Sequence, residues 1–410
     1  MSTYKSQMMK ISERKIQINR IGIAIMLGTL VGIGPLCTDL YLPALPEMAG
    51  SLGASASLVQ LSLTSCLLGL ALGQIVIGPY SDVYGRRRPL ILSLVVFAIA
   101  SFLCAFSPSV WILIFLRFIE GVAGAGGIVI SRAIARDLYS GVELTSFFSL
   151  LMLINGVAPI AAPVAGGQLM KVTSWTGVFF ILGTLGTGML LTVIFGLKES
   201  LPKSNRLKGG LKETVSNFGK LLSNRKFMGY VLVQGFIMAG LFGYISGSPF
   251  VLQDIYNVSA QTFSLCFAVN GLGIIIAAQM TGKLTKQFGE PRLLRLGLVL
   301  SLLGSIALCM MLLFKAELIF ILIPLFVVIS SIGITMTTSF SLAIQDQEKS
   351  AGSASGLLGL IPFIFGALAA PIAGIGGSNT ALPMGLVILI SNMAALMSYV
   401  KLVILRESIN

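Results

Sequence analysis

The chain contains no histidine, which excludes haem ligation, most zinc sites and any imidazole proton relay. Its five cysteines are odd in number and scattered, and no Cys-x-x-Cys pair occurs. All of them fall within apolar stretches, which is typical of small core side chains rather than of a disulfide framework or a metal site. We therefore expect no metal and no cofactor.

Charge is scarce as well. Only 10% of the 410 residues are charged and 55% are hydrophobic, whereas soluble domains usually carry about 25% charged residues. A surface with so little charge must face lipid, so the sequence predicts an integral membrane protein. The 46 glycines agree with this class, because small residues let membrane helices approach each other closely.

Apolar runs of about 20 residues, long enough to cross a bilayer as a helix, recur along the chain and predict an all-α protein with twelve spans. We place the spans at about 21–45, 57–80, 89–107, 109–131, 142–168, 174–197, 227–250, 262–284, 293–314, 318–340, 353–374 and 382–403. We expect the first span to be retained, because it is long and lacks the small-residue cleavage site of a signal peptide.

The net charge of +13 is explained by topology. With the N-terminus in the cytoplasm, 25 of the 28 lysines and arginines fall on the cytoplasmic side, with only Lys171 and Lys315 outside and Arg117 within a span. The positive-inside rule then predicts that both termini are cytoplasmic. Because the basic residues are spread over short loops, we expect no nucleic-acid partner.

One long polar stretch divides the spans six and six. We predict a first six-helix bundle over residues 1–197, a basic cytoplasmic linker over 198–226 and a second six-helix bundle over 227–410. Within the linker, a short amphipathic helix on the membrane surface is expected around Leu211–Leu222.

The two halves carry a repeat. The segment GPYSDVYGRRRP begins at Gly78, and GKLTKQFGEPRL begins at Gly282. Gly85 and Gly289 then match at the same offset of 204 residues, while Asp82 is replaced by a lysine. Parallel repeats of six spans are typical of transporters that bind their substrate between the halves, near the membrane midplane.

The first of these segments resembles the loop signature of the major facilitator superfamily, Gly-x-x-x-Asp-x-x-Gly-Arg-Arg. Residues 113–121 resemble the fourth-helix motif of its proton-coupled drug exporters, with Glu120 in place of the usual glutamine. Residues 162–167 are similar to the fifth-helix antiporter motif. Further matches at residues 38–46, 132–137 and 248–250 narrow the resemblance to drug-resistance transporters of the Bcr/CflA type.

This resemblance implies a major facilitator fold of two pseudo-symmetric six-helix bundles, in a bacterial cytoplasmic membrane. It implies proton-driven export of small amphipathic drugs or antibiotics by alternating access, with protons as the coupling ion. We expect a monomer surrounded by lipid. A metabolite or sugar exporter and a proton symporter remain alternatives on the same fold. A membrane-embedded enzyme is disfavoured, because the sequence has no histidine, paired thiols or clustered catalytic carboxylates.

The resemblance also assigns roles to two motifs. A latch that holds the outward-open state would comprise Gly78, Asp82, Gly85, Arg86, Arg87 and Asp137. The alternative for these residues is a solvated anchor at a cytoplasmic helix end. The antiporter motif, which would limit leakage, comprises Ala158, Pro159, Ala162, Pro163, Gly166 and Gly167. Tight helix packing would explain the same small residues.

Polar and flexible side chains within the spans predict a mixed substrate cavity. Its candidates are Met26, Gln60, Thr64, Asn155, Gln234, Phe236, Met238, Tyr244 and Asn270. Each polar residue alone is more often a contact between helices than a ligand contact.

Three charged residues lie well inside the spans, namely Asp39, Arg117 and Glu120. Buried ionisable groups are costly and mark functional sites by default. If the first helix ends near Leu45, Asp39 lies about 9 Å below that end, and Arg117 lies about 12 Å below the same surface. Arg117 suits a fixed positive partner, since it keeps its proton. We expect Asp39 to carry the coupled proton, although a carboxylate that reaches water near the helix end is the alternative.

Glu120 lies three residues after Arg117, so the two side chains share one helix face and can touch. Glu120 either neutralises Arg117 or points into the cavity as an additional acid. The sequence leaves both possibilities open.

Overall fold

The computed structural model describes residues 22–139, 157–206, 219, 221–345, 351–377 and 379–405. The predicted cavity residue Asn155, both termini and most of the predicted amphipathic linker helix lie outside these ranges. The described residues form helices, turns and short connections, with no strand among them. The predicted all-α class is confirmed.

Twelve helical segments correspond to the twelve predicted spans, and ten of them are long and apolar enough, within the described residues, to cross a membrane. We number them α1 (Gly22–Ser51), α2 (Ala56–Tyr84), α3 (Arg87–Ala105), α4 (Val110–Leu138), α5 (Val157–Leu169), α6 (Trp175–Gly196), α7 (Arg225–Ile255), α8 (Ala260–Phe288), α9 (Glu290–Leu313), α10 (Leu318–Gln345), α11 (Ala351–Ala373) and α12 (Leu382–Ile404).

Polar residues set several helix starts. The side chains of Ser55, Ser109 and Ser259 each accept a hydrogen bond from the main-chain N–H three residues further on, at the starts of α2, α4 and α8. Asn224 does the same before α7. Such caps satisfy N–H groups that have no partner within the helix.

The predicted end of α1 at Leu45 is wrong. The helix breaks after Asp39, passes through a short 3₁₀ turn at Leu42–Ala44, and resumes as Leu45–Ser51. Pro43 has no N–H, so it cannot make the helical bond to the carbonyl of Asp39. The helix therefore breaks just beyond the carboxylate that the sequence singled out.

The end of α4 is also later than predicted. The helix continues to Leu138, seven residues beyond the expected boundary, so Asp137 lies in its last turn. The apolar pattern stops earlier because the final turns carry arginines, which need to reach water or partner charges. Hydropathy therefore marks where the lipid ends rather than where the helix ends.

The internal repeat is visible in the backbone. Gly85 follows α2 with φ of 92°, and Gly289 follows α8 with φ of 74°. Side chains rarely tolerate such angles, which explains why both copies keep glycine. The offset of 204 residues also relates Gly69 to Gly273. Gly69 lets α2 pack closely on α4, and Gly273 lets α8 pack closely on α10.

The two halves meet at one end of the bundle. The first portion of α2 packs against the last portion of α11, close to the break in α1. We call this the sealed end and define it by Pro43, Ser57, Gly167, Ser246 and Pro371. The opposite end, which holds the α2–α3 turn and the end of α4, is called the latch end. The domain boundaries at 197 and 227 stay a prediction.

The close contact of α2 with α4 generates a stability prediction. A Cβ at Gly121 would overlap the main-chain carbonyl of Cys66 in α2, and a helix backbone cannot move aside as a flexible side chain can. We expect Gly121→Ala to lower the free energy of unfolding by about 1–3 kcal/mol. Thermal denaturation of the purified protein in detergent measures this loss.

The matched control is Gly188→Ala in α6, where no atom of the described residues lies within 4 Å of the added Cβ. That variant should be unchanged or slightly more stable, because alanine favours a helix over glycine by up to about 1 kcal/mol. Equal melting temperatures for the two variants would contradict the packing argument.

Candidate functional site

A cavity of about 170 Å³ lies between the two halves. The first half contributes Asp39 from α1 with Pro159 and Ile160 from α5, and the remaining lining is Leu241, Tyr244, Ile245, Phe267, Asn270, Gly271, Ile274, Ile275 and Ile329. Asp39 is the one charged residue among these, and its side chain is buried. Within the described ranges, no cation lies within ion-pair distance of it.

The opposite wall of this cavity carries a small polar and aromatic cluster. The side-chain amide of Asn270 donates to the hydroxyl of Tyr244 over 2.9 Å. The ring of Tyr244 stacks on that of Phe267, with 5.5 Å between centroids and 15° between planes. The cavity that contains the carboxylate of Asp39 is thus also lined by the stacked rings of Tyr244 and Phe267 and by the hydrogen-bonded side chains of Asn270 and Tyr244.

A second buried cluster, centred on Arg117 and Glu120 in α4, packs against α1. Arg117 forms an ion pair with Glu120, and both side chains are completely buried. The hydroxyl of Ser101 donates to Glu120 Oε1 over 2.6 Å. The guanidinium lies 4.4 Å from the ring centroid of Tyr41 and 5.4 Å from that of Phe179. The predicted contact of Arg117 with Glu120 is therefore confirmed.

Arg117 also binds the main chain of α1. Its Nη2 donates to the carbonyl of Cys37 over 2.5 Å, two residues before Asp39. The described residues show no ion pair between Arg117 and Asp39 themselves. Glu120 does not line the cavity, so the geometry favours its role as the neutralising partner of Arg117.

Three of the predicted latch residues, Asp82, Arg86 and Asp137, form a connected cluster at the latch end, whereas the side chain of Arg87 donates to the main-chain carbonyl of Ile194 in α6. Arg86 contacts Asp137 through Nε at 3.0 Å and Asp82 through Nη1 at 2.5 Å. Burial of the guanidinium disfavours its charged form, but the hydrogen bonds from Arg86 to Asp137 and Asp82 outweigh this effect and raise the pKa of Arg86 above its ordinary value. Arg86 is therefore a permanent cation that joins the α2–α3 turn to the end of α4.

Sequence reasoning missed Glu199, which lies just after α6. Its carboxylate accepts hydrogen bonds from the main-chain N–H of Arg86 at 2.7 Å and of Arg87 at 3.3 Å. A carboxylate at the start of α3 satisfies free N–H groups and complements the helix dipole. The neighbouring Ser200 donates to Asp137 over 2.8 Å. In the sequence, the only indication of this role is that Glu199 is an acidic residue next to the end of a predicted span. Its partner Arg86 is 113 residues away, so the sequence does not show that the two meet.

The antiporter motif lies between the two halves. Gly166 in α5 faces the main-chain carbonyl of Leu40 at the break in α1. Gly167 faces Ser264 in α8, and a Cβ there would lie 3.0 Å from the carbonyl of Ala260. Ala162 is buried. The two glycines thus bring α5 into close contact with one helix from each half.

The predicted cavity residues divide into groups. Tyr244 and Asn270 do line the cavity with Asp39. Gln60 and Thr64 instead make hydrogen bonds between the halves at the sealed end. Met26 lines a separate groove of about 530 Å³ between α1 and α6.

The remaining candidates are packing residues of the second half. Gln234 donates to the hydroxyl of Ser339 over 3.2 Å. Phe236 meets Phe365 edge-on, with 4.9 Å between ring centroids. Met238 packs against the buried core. The structure does not bring these three to the cavity that contains Asp39.

The family model described as "Major Facilitator Superfamily" matches residues 23–371. The chain belongs to this family, and it is a transporter rather than an enzyme. It is 43% identical to an uncharacterized MFS-type transporter, YdgK, of Bacillus subtilis, over 91% of this chain and 93% of that protein. It is 29% identical to a bicyclomycin resistance protein homolog of Haemophilus influenzae, over 87% and 90% of the two chains.

Solved structures share the fold. The nucleoside transporter NupG superposes with a TM-score of 0.74 at 12% identity, covering 92% of this chain and 98% of its own. A bacterial homolog of the human lysosomal transporter Spinster gives a TM-score of 0.73 at 16% identity, covering 93% and 95%. The predicted major facilitator fold is confirmed.

The buried ion pair generates one prediction. Glu120→Gln leaves the charge of Arg117 uncompensated in a fully buried place, and Arg117→Met does the same to Glu120. Each single change should lower the free energy of unfolding by about 3–5 kcal/mol. The double variant that combines Arg117→Met with Glu120→Gln should be clearly more stable than the sum of the two single losses implies, because neither charge is then left without its partner. Thermal denaturation of the four proteins tests this coupling, and strictly additive losses would disprove it.

The latch cluster generates another prediction. Asp82→Asn removes one of the two carboxylates that hold Arg86, while Asp137 keeps the other contact. We expect the protein to be made and inserted normally but to transport more slowly. The measurement is the initial transport rate of a fluorescent compound that the wild-type protein carries, normalised to the amount of protein in the membrane. Asp254→Asn, away from this cluster, is the control, and a wild-type transport rate for Asp82→Asn would refute the latch.

Proposed function

We propose that this protein is a proton-driven antiporter that exports small amphipathic drugs, including antibiotics, by alternating access of its two halves. The observation that carries the proposal is Asp39, a buried carboxylate in the cavity between the halves that has no countercharge among the described residues. Relatives named for bicyclomycin resistance and multidrug resistance support the substrate class.

The cavity lining favours amphipathic compounds over sugars. Drug sites are mostly apolar, with a few polar groups that fix orientation. Here isoleucines, Leu241 and Phe267 surround Asp39, Tyr244 and Asn270. A sugar would need several further hydrogen-bonding groups, because its hydroxyls lose water on binding. The lining therefore argues against the sugar-exporter alternative.

Asp39 and the Arg117–Glu120 pair have different roles in the proposed coupling. Asp39 can exchange a proton for a substrate, since its carboxylate faces the cavity and has no ion-pair partner among the described residues. Arg117 keeps its proton, and Glu120 balances its charge. Arg117 then holds the main chain of α1 next to Asp39 while the latter changes its charge. The basic residues at the latch end would place that end in the cytoplasm.

The test is Asp39→Asn in proteoliposomes. An asparagine has nearly the same size but cannot carry the proton, so export driven by a pH gradient should be lost. Exchange of labelled for unlabelled drug, which needs no proton movement, should persist. Candidate drugs come from a susceptibility panel on cells that overproduce the wild-type protein. Normal drug-driven proton release by Asp39→Asn would refute the proposal, and Asp254→Asn is the matched control.

A further inference from the structure

Five side-chain hydrogen bonds join the two halves at the sealed end, counted over the described residues. We call them the seam. They run from Ser57 to the carbonyl of Pro371 (3.2 Å), Gln60 to that of Ser246 (2.9 Å), Thr64 to that of Ala367 (3.0 Å), Gln253 to that of Pro43 (3.2 Å) and Gln261 to that of Gly167 (2.9 Å). Every donor is a side chain, and every acceptor is a main-chain carbonyl.

Two of these carbonyls lack the helical N–H donor that would come from four residues further on. In α11, the residue four positions after Ala367 is Pro371, which has no N–H to donate to the carbonyl of Ala367. In α5, the N–H of Lys171 donates to Gln168 rather than to Gly167. Thr64 and Gln261 supply the donors that the helices themselves do not.

The end of α7 offers a third acceptor. The N–H of Phe250 donates to the carbonyl of Gly247, three residues back, where a π-helical turn begins. The carbonyl of Ser246 accepts the amide of Gln60 instead. The hydroxyl of Ser246 turns to α11 and donates to the carbonyl of Ala370 over 3.0 Å.

Gln60 and Thr64 are the two buried donors of the seam. They lie four residues apart on one face of α2, and both are buried. Among the described residues, Gln60 Oε1 is buried without a hydrogen-bond partner, and the one hydrogen bond found for this amide is the one that it donates to the second half. A Cβ on Gly374 would overlap the amide of Gln60. The side chain therefore fits only because α11 is followed by a glycine.

We infer that Gln60 and Thr64 are gating residues whose bonds to the carbonyls of Ser246 and Ala367 keep the sealed end closed. When the halves separate, water can satisfy both the donors and the carbonyls, so each bond contributes only a small net stabilisation and is reversible. Neither residue lines the cavity of Asp39. The inference rests on the transporter class and is independent of which substrate is carried or whether protons drive it.

The experiment measures hydrogen–deuterium exchange by mass spectrometry on the full chain in lipid nanodiscs without substrate. The variants are Thr64→Val, which keeps the shape and loses the donor, and Gln60→Leu. Each should raise the population that is open at the sealed end by about 2- to 12-fold, the equivalent of one net hydrogen bond. Peptides that cover residues 54–66 and 366–377 should exchange correspondingly faster.

Gly374→Ala tests the same contact from the other half and should reproduce the effect of Gln60→Leu. Thr64→Ser retains the hydroxyl and should behave like the wild type. Two matched controls donate within their own helices: Gln74→Leu in α2, bonded to Leu70, and Thr187→Val in α6, bonded to Gly183. Both should leave exchange at the sealed end unchanged.

The inference is overturned if folded Thr64→Val and Gln60→Leu exchange like the wild type at the sealed end. It is also overturned if Gln74→Leu accelerates exchange equally. Changed drug affinity with unchanged exchange would instead make the two residues substrate contacts. Because no substrate or pH gradient is present, failure of the Asp39 test leaves this result unaffected.

Discussion

A main-chain carbonyl inside a bilayer has no water to accept a hydrogen bond from, so any break in a helix must be satisfied by another part of the protein. This constraint organises the centre of the molecule. Pro43 and Pro371 each remove a helical donor, and the turn at the end of α7 redirects another. Side chains from neighbouring helices then bind near these breaks. Several of the hydrogen bonds between the two halves therefore lie where a helical hydrogen bond is missing.

Among the described residues, the paired charged groups are separate from the one buried carboxylate that we propose to titrate. Arg117 and Glu120 neutralise each other in a closed space and hold the backbone of α1. Asp39 lies on the other side of that backbone, in a cavity shared by both halves. At the latch end, Arg86 joins two carboxylates and the start of α3 is capped by Glu199. The ion pairs thus support the structure, and the group that we propose to titrate faces the cavity.

The sequence predicted what depends on local signals. The lengths of apolar runs gave the twelve spans, a constant offset revealed the repeat, and the spacing of three residues predicted the contact of Arg117 with Glu120. Helix ends were predicted less well. The hydropathy falls several residues before α4 ends, and Pro43 interrupts α1 without ending it. The role of Glu199 was not predicted, because its partners Arg86 and Arg87 lie far away in the sequence, at the α2–α3 turn. Gln60 and Thr64 were assigned to the cavity, because a polar residue in a span does not show which helix it meets.

The chemistry of the seam has a consequence for how this protein can diverge. Its acceptors belong to the main chain, so replacing the side chain of Ala367 or Ser246 does not remove them. Only the donors, and a few neighbours that must stay small such as Gly374, are fixed by their side chains. In each half, positions that contribute only a main-chain carbonyl can therefore change their side chains while the hydrogen bond is retained. Substitutions around the cavity can then alter which compounds fit without removing the bonds that we propose to close the sealed end.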